Sequence, residues 1–188
     1  TPIENSHRVL ILQHPQEPDK ALGTAILTTT FLKNSQLRVG LSTANLKKAL
    51  KDESANPARW GVLYLGSGVK GTKSTEPGLT VVKKSGEAVL PSEQKKILEE
   101  LEGIVVLDGT WSQAKALWWR NPWLLKLKRL ILVPTGPSLY GKLRREPRRE
   151  CLSTIESIAE TLTFLGEDLK TEAVLKDAFK THLLQFRK

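Results

Sequence analysis

Asp108-Gly109-Thr110-Trp111 lies between an apolar run, Ile104-Val105-Val106-Leu107, and a helically spaced segment that reaches Arg120. Open α/β sheets place their ligand sites at such a strand-to-helix junction. A carboxylate there is costly to bury without a partner, which favours a chemical role for Asp108 over a purely structural one. Thr110 and Gln113 have the Thr-x-x-Gln spacing of a capping box, so a helix is expected to start there with backbone N–H groups facing the crevice. The structural alternative is that Thr110 and Gln113 only cap a helix and Trp111 only fills core.

Ser153 and Glu156 repeat the capping pattern ahead of Ile155, Ile158, Ala159 and Leu162, so a second helix N-terminus is expected. Two such termini near one crevice could bind the carboxylate of an amino-acid-like cofactor, although caps of this kind are commonly structural. Between them runs Ser138 to Arg149, where Lys142, Arg144, Arg145, Arg148 and Arg149 follow Tyr140. Guanidinium groups suit phosphates and an aromatic ring can stack on an unpaired base, so these six residues are the candidate RNA contacts; a solvated basic loop is the alternative. Arg120, Lys126, Lys128 and Arg129 could extend the patch.

Gly66-Ser67-Gly68-Val69-Lys70-Gly71 matches the dinucleotide fingerprint, but the helix that must follow is missing, and Thr72 stands between Gly71 and Lys73 where a P-loop needs a contiguous Gly-Lys. The loop is retained as a site wall or a bare turn. His14, at the end of the first apolar run, is a possible base that reads more readily as structural. Trp118, Trp119 and Trp123 read as core and packing surface, with Trp119 the one that could instead stack a base.

The elements that must position these residues alternate in type. Strands are expected at Arg8–Gln13, Leu37–Leu41, Trp60–Leu65, Leu79–Lys83, Ile104–Leu107 and Leu130–Val133. Helices are expected at about 21–32 and 45–52, from Pro91 to before Gly103, at Trp111–Arg120, and as a C-terminal pair divided near Gly166. Strands apolar along their length, alternating with helices, imply a single α/β domain over 1–188 with a mainly parallel sheet covered on both faces. Twenty-nine Lys and Arg against 20 Asp and Glu give a net charge of +9, which suits a polyanionic partner without proving one. One cysteine, Cys151, and three scattered histidines make no metal-ligand spacing, so neither disulfide nor metal is expected. No run approaches the roughly 18–20 apolar residues of a membrane span, and Thr1 to Asn5 lacks signal-peptide character, so a cytoplasmic protein away from membranes is expected.

Taken together, Asp108-Gly109-Thr110-Trp111-Ser112-Gln113-Ala114, Arg144-x-Glu146-Pro147, Leu152-Ser153-Thr154-Ile155-Glu156 and the earlier His14-Pro15-x-Glu17 resemble the DTW-domain proteins over almost the whole chain. The resemblance implies a tRNA-uridine aminocarboxypropyltransferase related to the knotted SPOUT methyltransferases, with a C-terminal knot and with S-adenosylmethionine as donor. By the same resemblance Gly66, Ser67, Asp108, Gly109, Thr110, Trp111, Leu152, Ser153, Thr154 and Glu156 fall on the loops that hold the donor. Two departures stand out: the N-terminal cysteine cluster of some relatives is missing, and Gly109 is interposed in the Asp-Thr-Trp signature. Uridine N3–H is a weak acid, so attack through N3 needs a base, and Asp108 is the best candidate. A SPOUT-type RNA methyltransferase and a non-catalytic RNA-binding module are the rival readings. The oligomeric state is not legible.

Overall fold

The computed structural model describes residues 2–16, 24–63, 77–136, 139 and 153–185. Strands β1 (Arg8–Gln13), β2 (Ser35–Val39), β3 (Trp60–Leu63), β4 (Gly78–Val82), β5 (Gly103–Asp108) and β6 (Lys128–Val133) form one six-stranded sheet in the order β2-β1-β5-β3-β6-β4. Only β4 runs antiparallel, against β6. Every residue of β5 is buried, as its unbroken apolar run requires of a central parallel strand.

Alternation along the strands divides the core into two layers. Val9, Ile11, Ile104 and Val106 face α1 (Ala25–Phe31), α5 (Thr154–Phe164) and α6 (Leu169–Leu184), where Ile155, Ile158, Leu162 and Phe179 complete the layer. Leu10, Leu12, Val105 and Leu107 face the other way, against α2 (Leu46–Leu50) and α4 (Trp111–Arg120), with Trp60, Trp123 and Leu124 in the same cluster. The remaining helix, α3 (Pro91–Glu100), has no buried residue and lays Ile97 and Leu98 against the edge of the first layer.

The element types follow the sequence expectation, and several boundaries move. The first helix is seen from Ala25 rather than Ala21, and residues 17–23 lie outside the described residues. The second strand starts two residues earlier than expected and ends at Val39, because its register is set by pairing Val9 with Ser35 through Gln13 with Val39. Of the three tryptophans read as core and packing surface, Trp123 is buried and Trp118 packs on the second layer, whereas Trp119, the one that could instead stack a base, is 78% exposed.

Gly103 opens β5 where three chains crowd. A Cβ there would come within 2.6 Å of the Trp60 ring and 2.7 Å of the Arg8 carbonyl oxygen. Backbone cannot yield as a side-chain tip can, so Gly103→Ala is expected to cost about 1–3 kcal/mol. A clear fall in thermal midpoint is the expected result; an unchanged midpoint would show that β1 and β5 can separate at this end without penalty.

Candidate active site

The connections after β1 and β5 leave on opposite faces of the sheet: β1 leads to α1 on the first layer and β5 to α4 on the second. Two adjacent parallel strands whose successors diverge leave a crevice at their carboxyl ends, the usual ligand position in such folds. The floor of that crevice is a pair of residues in register, Gln13 and Asp108. Their side chains share the face of Val9, Ile11, Ile104 and Val106 because they continue the same alternation.

Asp108 is only 4% exposed. One carboxylate oxygen accepts from Gln13 Nε2 at 2.8 Å, and the other accepts the Thr154 hydroxyl, at the first residue of α5. Among the described residues no cation pairs with this carboxylate, so the two donors are what the protein supplies to a buried anion. The amide of Gln13 is oriented by the same bond: its Nε2 must face the carboxylate, which leaves Oε1 buried with no hydrogen-bond partner. Gln13 is the site residue that sequence reasoning missed. The available signal was a polar residue ending an apolar strand on the inward face, at the register of Asp108.

Above this floor the two loops are stitched together. The His14 N–H donates to the Asp108 carbonyl at 3.1 Å, and the Gln113 amide reaches Gln16 Oε1 at 3.4 Å. His14 Nδ1 accepts from the Gln16 N–H at 3.3 Å, a local structural role. Gly109 turns the chain with φ +151°, and a Cβ on it would lie 2.9 Å from Gln113 Cβ and Oε1. The interposed glycine is therefore what lets Asp108 remain on the strand while Thr110 caps the helix. The capping box on α4 is complete, with the Thr110 N–H donating to Gln113 Oε1 at 2.8 Å and the Gln113 N–H to the Thr110 hydroxyl at 3.3 Å. Trp111 begins the helix.

At α5 the box is also complete and fully buried. Glu156 accepts from the Ser153 N–H at 3.1 Å and from its hydroxyl at 2.9 Å, and its other oxygen accepts the Leu139 N–H at 2.9 Å. The Ile155 N–H is taken by Thr24 at 3.1 Å. The N–H groups of Ile155 and Glu156 are thus satisfied inside the protein, and the helix start contributes to the crevice through the Thr154 hydroxyl. Glu160, one turn on, accepts the Thr135 N–H at 3.2 Å and its hydroxyl, so two buried carboxylates of α5 grip the chain leaving β6. The structure therefore brings together Asp108, Gly109, Thr110, Ser153, Thr154 and Glu156. Gly66, Ser67, Leu152 and the six basic-segment residues Tyr140, Lys142, Arg144, Arg145, Arg148 and Arg149 lie outside the described residues, as does Glu17.

Residues 1–187 match the DTW domain. The chain belongs to the DTW-domain family. It is 28% identical over 177 residues to tRNA-uridine aminocarboxypropyltransferase 2 of Macaca fascicularis, an alignment covering 89% of this chain and 50% of that protein. Proteins of the same name from Drosophila melanogaster and Mus musculus are 30% and 29% identical over 168 residues each, covering 85% and 89% of this chain and 57% and 50% of theirs. The chain thus spans about half the length of the curated relatives it matches. No solved structure matches it. In this chain Asp108 of the signature is the crevice carboxylate, Thr110 caps the helix that follows and Trp111 begins it.

Glu156→Ala should leave the N–H groups of Ser153 and Leu139 without their acceptor. A loss of about 1–3 kcal/mol is expected, with Glu156→Gln retaining part of it. Urea denaturation measures this; equal midpoints for the alanine variant and the unchanged protein would mean that α5 does not depend on its cap.

Proposed function

We propose that this chain is the catalytic domain of a tRNA-uridine aminocarboxypropyltransferase, moving the 3-amino-3-carboxypropyl group of S-adenosylmethionine to N3 of a tRNA uridine. The single observation that carries the reading is the buried Asp108 carboxylate, fixed by Gln13 and Thr154 at the carboxyl end of a central strand. The names of the relatives supply the reaction class.

The donor's sulfonium activates the carbons attached to it. Asp108 takes the N3 proton of the uridine, N3 bonds to the methylene carbon, and the carbon–sulfur bond breaks with its electron pair on sulfur, leaving neutral 5′-methylthioadenosine. Both Asp108 oxygens are held by donors, so the carboxylate keeps one orientation through proton transfer. The residues fit an amino-acid-like donor: the partnerless Gln13 Oε1 is an acceptor suited to an ammonium N–H. Gly66, Ser67, Leu152 and Thr110 to Trp111 would line the rest of the donor pocket, with Ser153 and Glu156 holding its α5 wall. Tyr140, Lys142, Arg144, Arg145, Arg148 and Arg149 would meet the tRNA. No metal takes part in this scheme.

A SPOUT-like knot is part of the proposal. β6 lies between β3 and β4, and β4 begins beside the end of β6; the knot itself is proposed on the resemblance to the SPOUT methyltransferases. Among the described residues no helix is long and apolar enough to cross a membrane; a cytoplasmic site of action belongs to the proposal through its tRNA substrate.

Asp108→Asn is expected to cut turnover by roughly 100-fold or more while leaving the fold and donor affinity intact. Chromatography of the nucleoside product supplies the test: methylthioadenosine release supports the assignment, and adenosylhomocysteine would replace it with methyl transfer. If donor affinity falls with rate, Asp108 orients the donor instead of taking the proton.

Replacing Arg148 and Arg149 with alanine should weaken tRNA binding and flatten its salt dependence by about one unit of slope per lost phosphate contact. Binding measured across a salt series decides it. An unchanged slope after removing Arg144, Arg145, Arg148 and Arg149 together would place the RNA surface elsewhere.

A further inference from the structure

The outward face of α4 is used by neither the core nor the Asp108 crevice. Ala114 and Leu117 are buried against the sheet, whereas Ser112, Lys115 and Trp119 are exposed and recur at the three- and four-residue steps of one helical stripe. At 78% exposure, Trp119 leaves in water a ring whose burial would contribute about 2–3 kcal/mol. A residue of this kind is informative when its surroundings point to a partner. Here they do: along α4 and the turn and strand that follow it, from Gly109 to Val133, the chain carries five Lys and Arg and no Asp or Glu. Lys115, Arg120 and Lys126 are exposed members of that run.

An apolar protein partner would explain the ring but not the exclusion of acids, and a purely electrostatic surface would explain the charge but not the ring. RNA with unpaired bases explains both, since phosphates meet the cations and a base offers a flat π face. We propose that the outer face of α4 is an RNA-docking surface on which Trp119 stacks an unpaired base of the substrate, with Lys115 and Arg120 beside the flanking phosphates. The proposal rests on the RNA-modifying function above and adds where the RNA runs. The stripe starts at Ser112, whose hydroxyl lies 3.3 Å from that of Thr110 in the turn after Asp108. Trp119 is seven residues on, about 10 Å along the axis. The stacked base lies on the other side of the sheet from the Asp108 carboxylate, which faces α5.

The test compares the unchanged protein, Trp119→Ala and Trp119→Phe for binding to bulk tRNA from cells lacking this enzyme, across a salt series, with S-adenosylmethionine affinity and sedimentation measured alongside. Trp119→Ala is expected to lose about tenfold or more in tRNA affinity, as for one base–aromatic stack, at an unchanged salt slope and unchanged donor affinity, and Trp119→Phe to recover most of it. Full tRNA affinity in Trp119→Ala overturns the docking surface while leaving the proposed function standing. A change from dimer to monomer in Trp119→Ala without loss of tRNA affinity also overturns it, and assigns the face to a second copy of the chain. Failure of the unchanged protein to bind tRNA at all overturns the proposed function and this inference with it.

Discussion

A carboxylate cannot sit at the buried end of a parallel strand without donors, and that requirement for Asp108 organises this molecule. Each hydrogen bond to a charged group contributes about 1.5–3 kcal/mol net, while a buried charge stripped of its partners costs more than that. The two donors come from different parts of the chain, Gln13 at the end of β1 and Thr154 at the start of α5. Satisfying one anion therefore fixes the register of β1 on β5 and the position of a helix 46 residues further along. Removing either donor would change the aim of the carboxylate as well as the stability of the fold.

The same logic extends down α5. Burial covers nearly all sides of this helix, including Glu156 and Glu160, so their carboxylates need donors as Asp108 does. They find them in Leu139 and Thr135, on the chain that leaves β6. Lys176 of α6 lies 3.6 Å from Glu160 and offsets part of its charge. An ordinary helix packing on a sheet would use apolar residues at these positions. Carboxylates instead set the path of a segment that has few apolar side chains with which to anchor itself, immediately before the basic stretch that the proposed function assigns to RNA.

Much of this was legible in the sequence because it is local. The capping boxes of Thr110 with Gln113 and Ser153 with Glu156 depend on three-residue spacings, and both form as the spacing requires. The apolar runs fixed strand identity for the same reason. What depends on distant partners was not legible: the antiparallel direction of β4 is set by β6, some 50 residues away, and nothing within Gly78 to Val82 encodes it. Gln13 looked like the polar end of a strand until its register with Asp108 gave it a task. Trp119 is the instructive case between these. Its place on the stripe of Ser112 and Lys115, rather than that of Ala114 and Leu117, follows from helical periodicity alone, and the sequence reading set it apart from Trp118 and Trp123.

Burial of Asp108 also reconciles two demands of the proposed reaction. Proton removal at N3 calls for a carboxylate, whereas a surface that receives a polyanion must keep negative charge away. From Gly103 to Arg145 the chain contains a single acidic residue, and it is Asp108. Held 4% exposed and facing α5, on the opposite side of the sheet from α4, that charge is separated from the proposed RNA face by the thickness of the core. Exposed at the crevice rim, the same carboxylate would repel the phosphates of the proposed substrate. At the floor of the crevice it meets the proton it is proposed to take, apart from the α4 cations proposed to act on the RNA backbone.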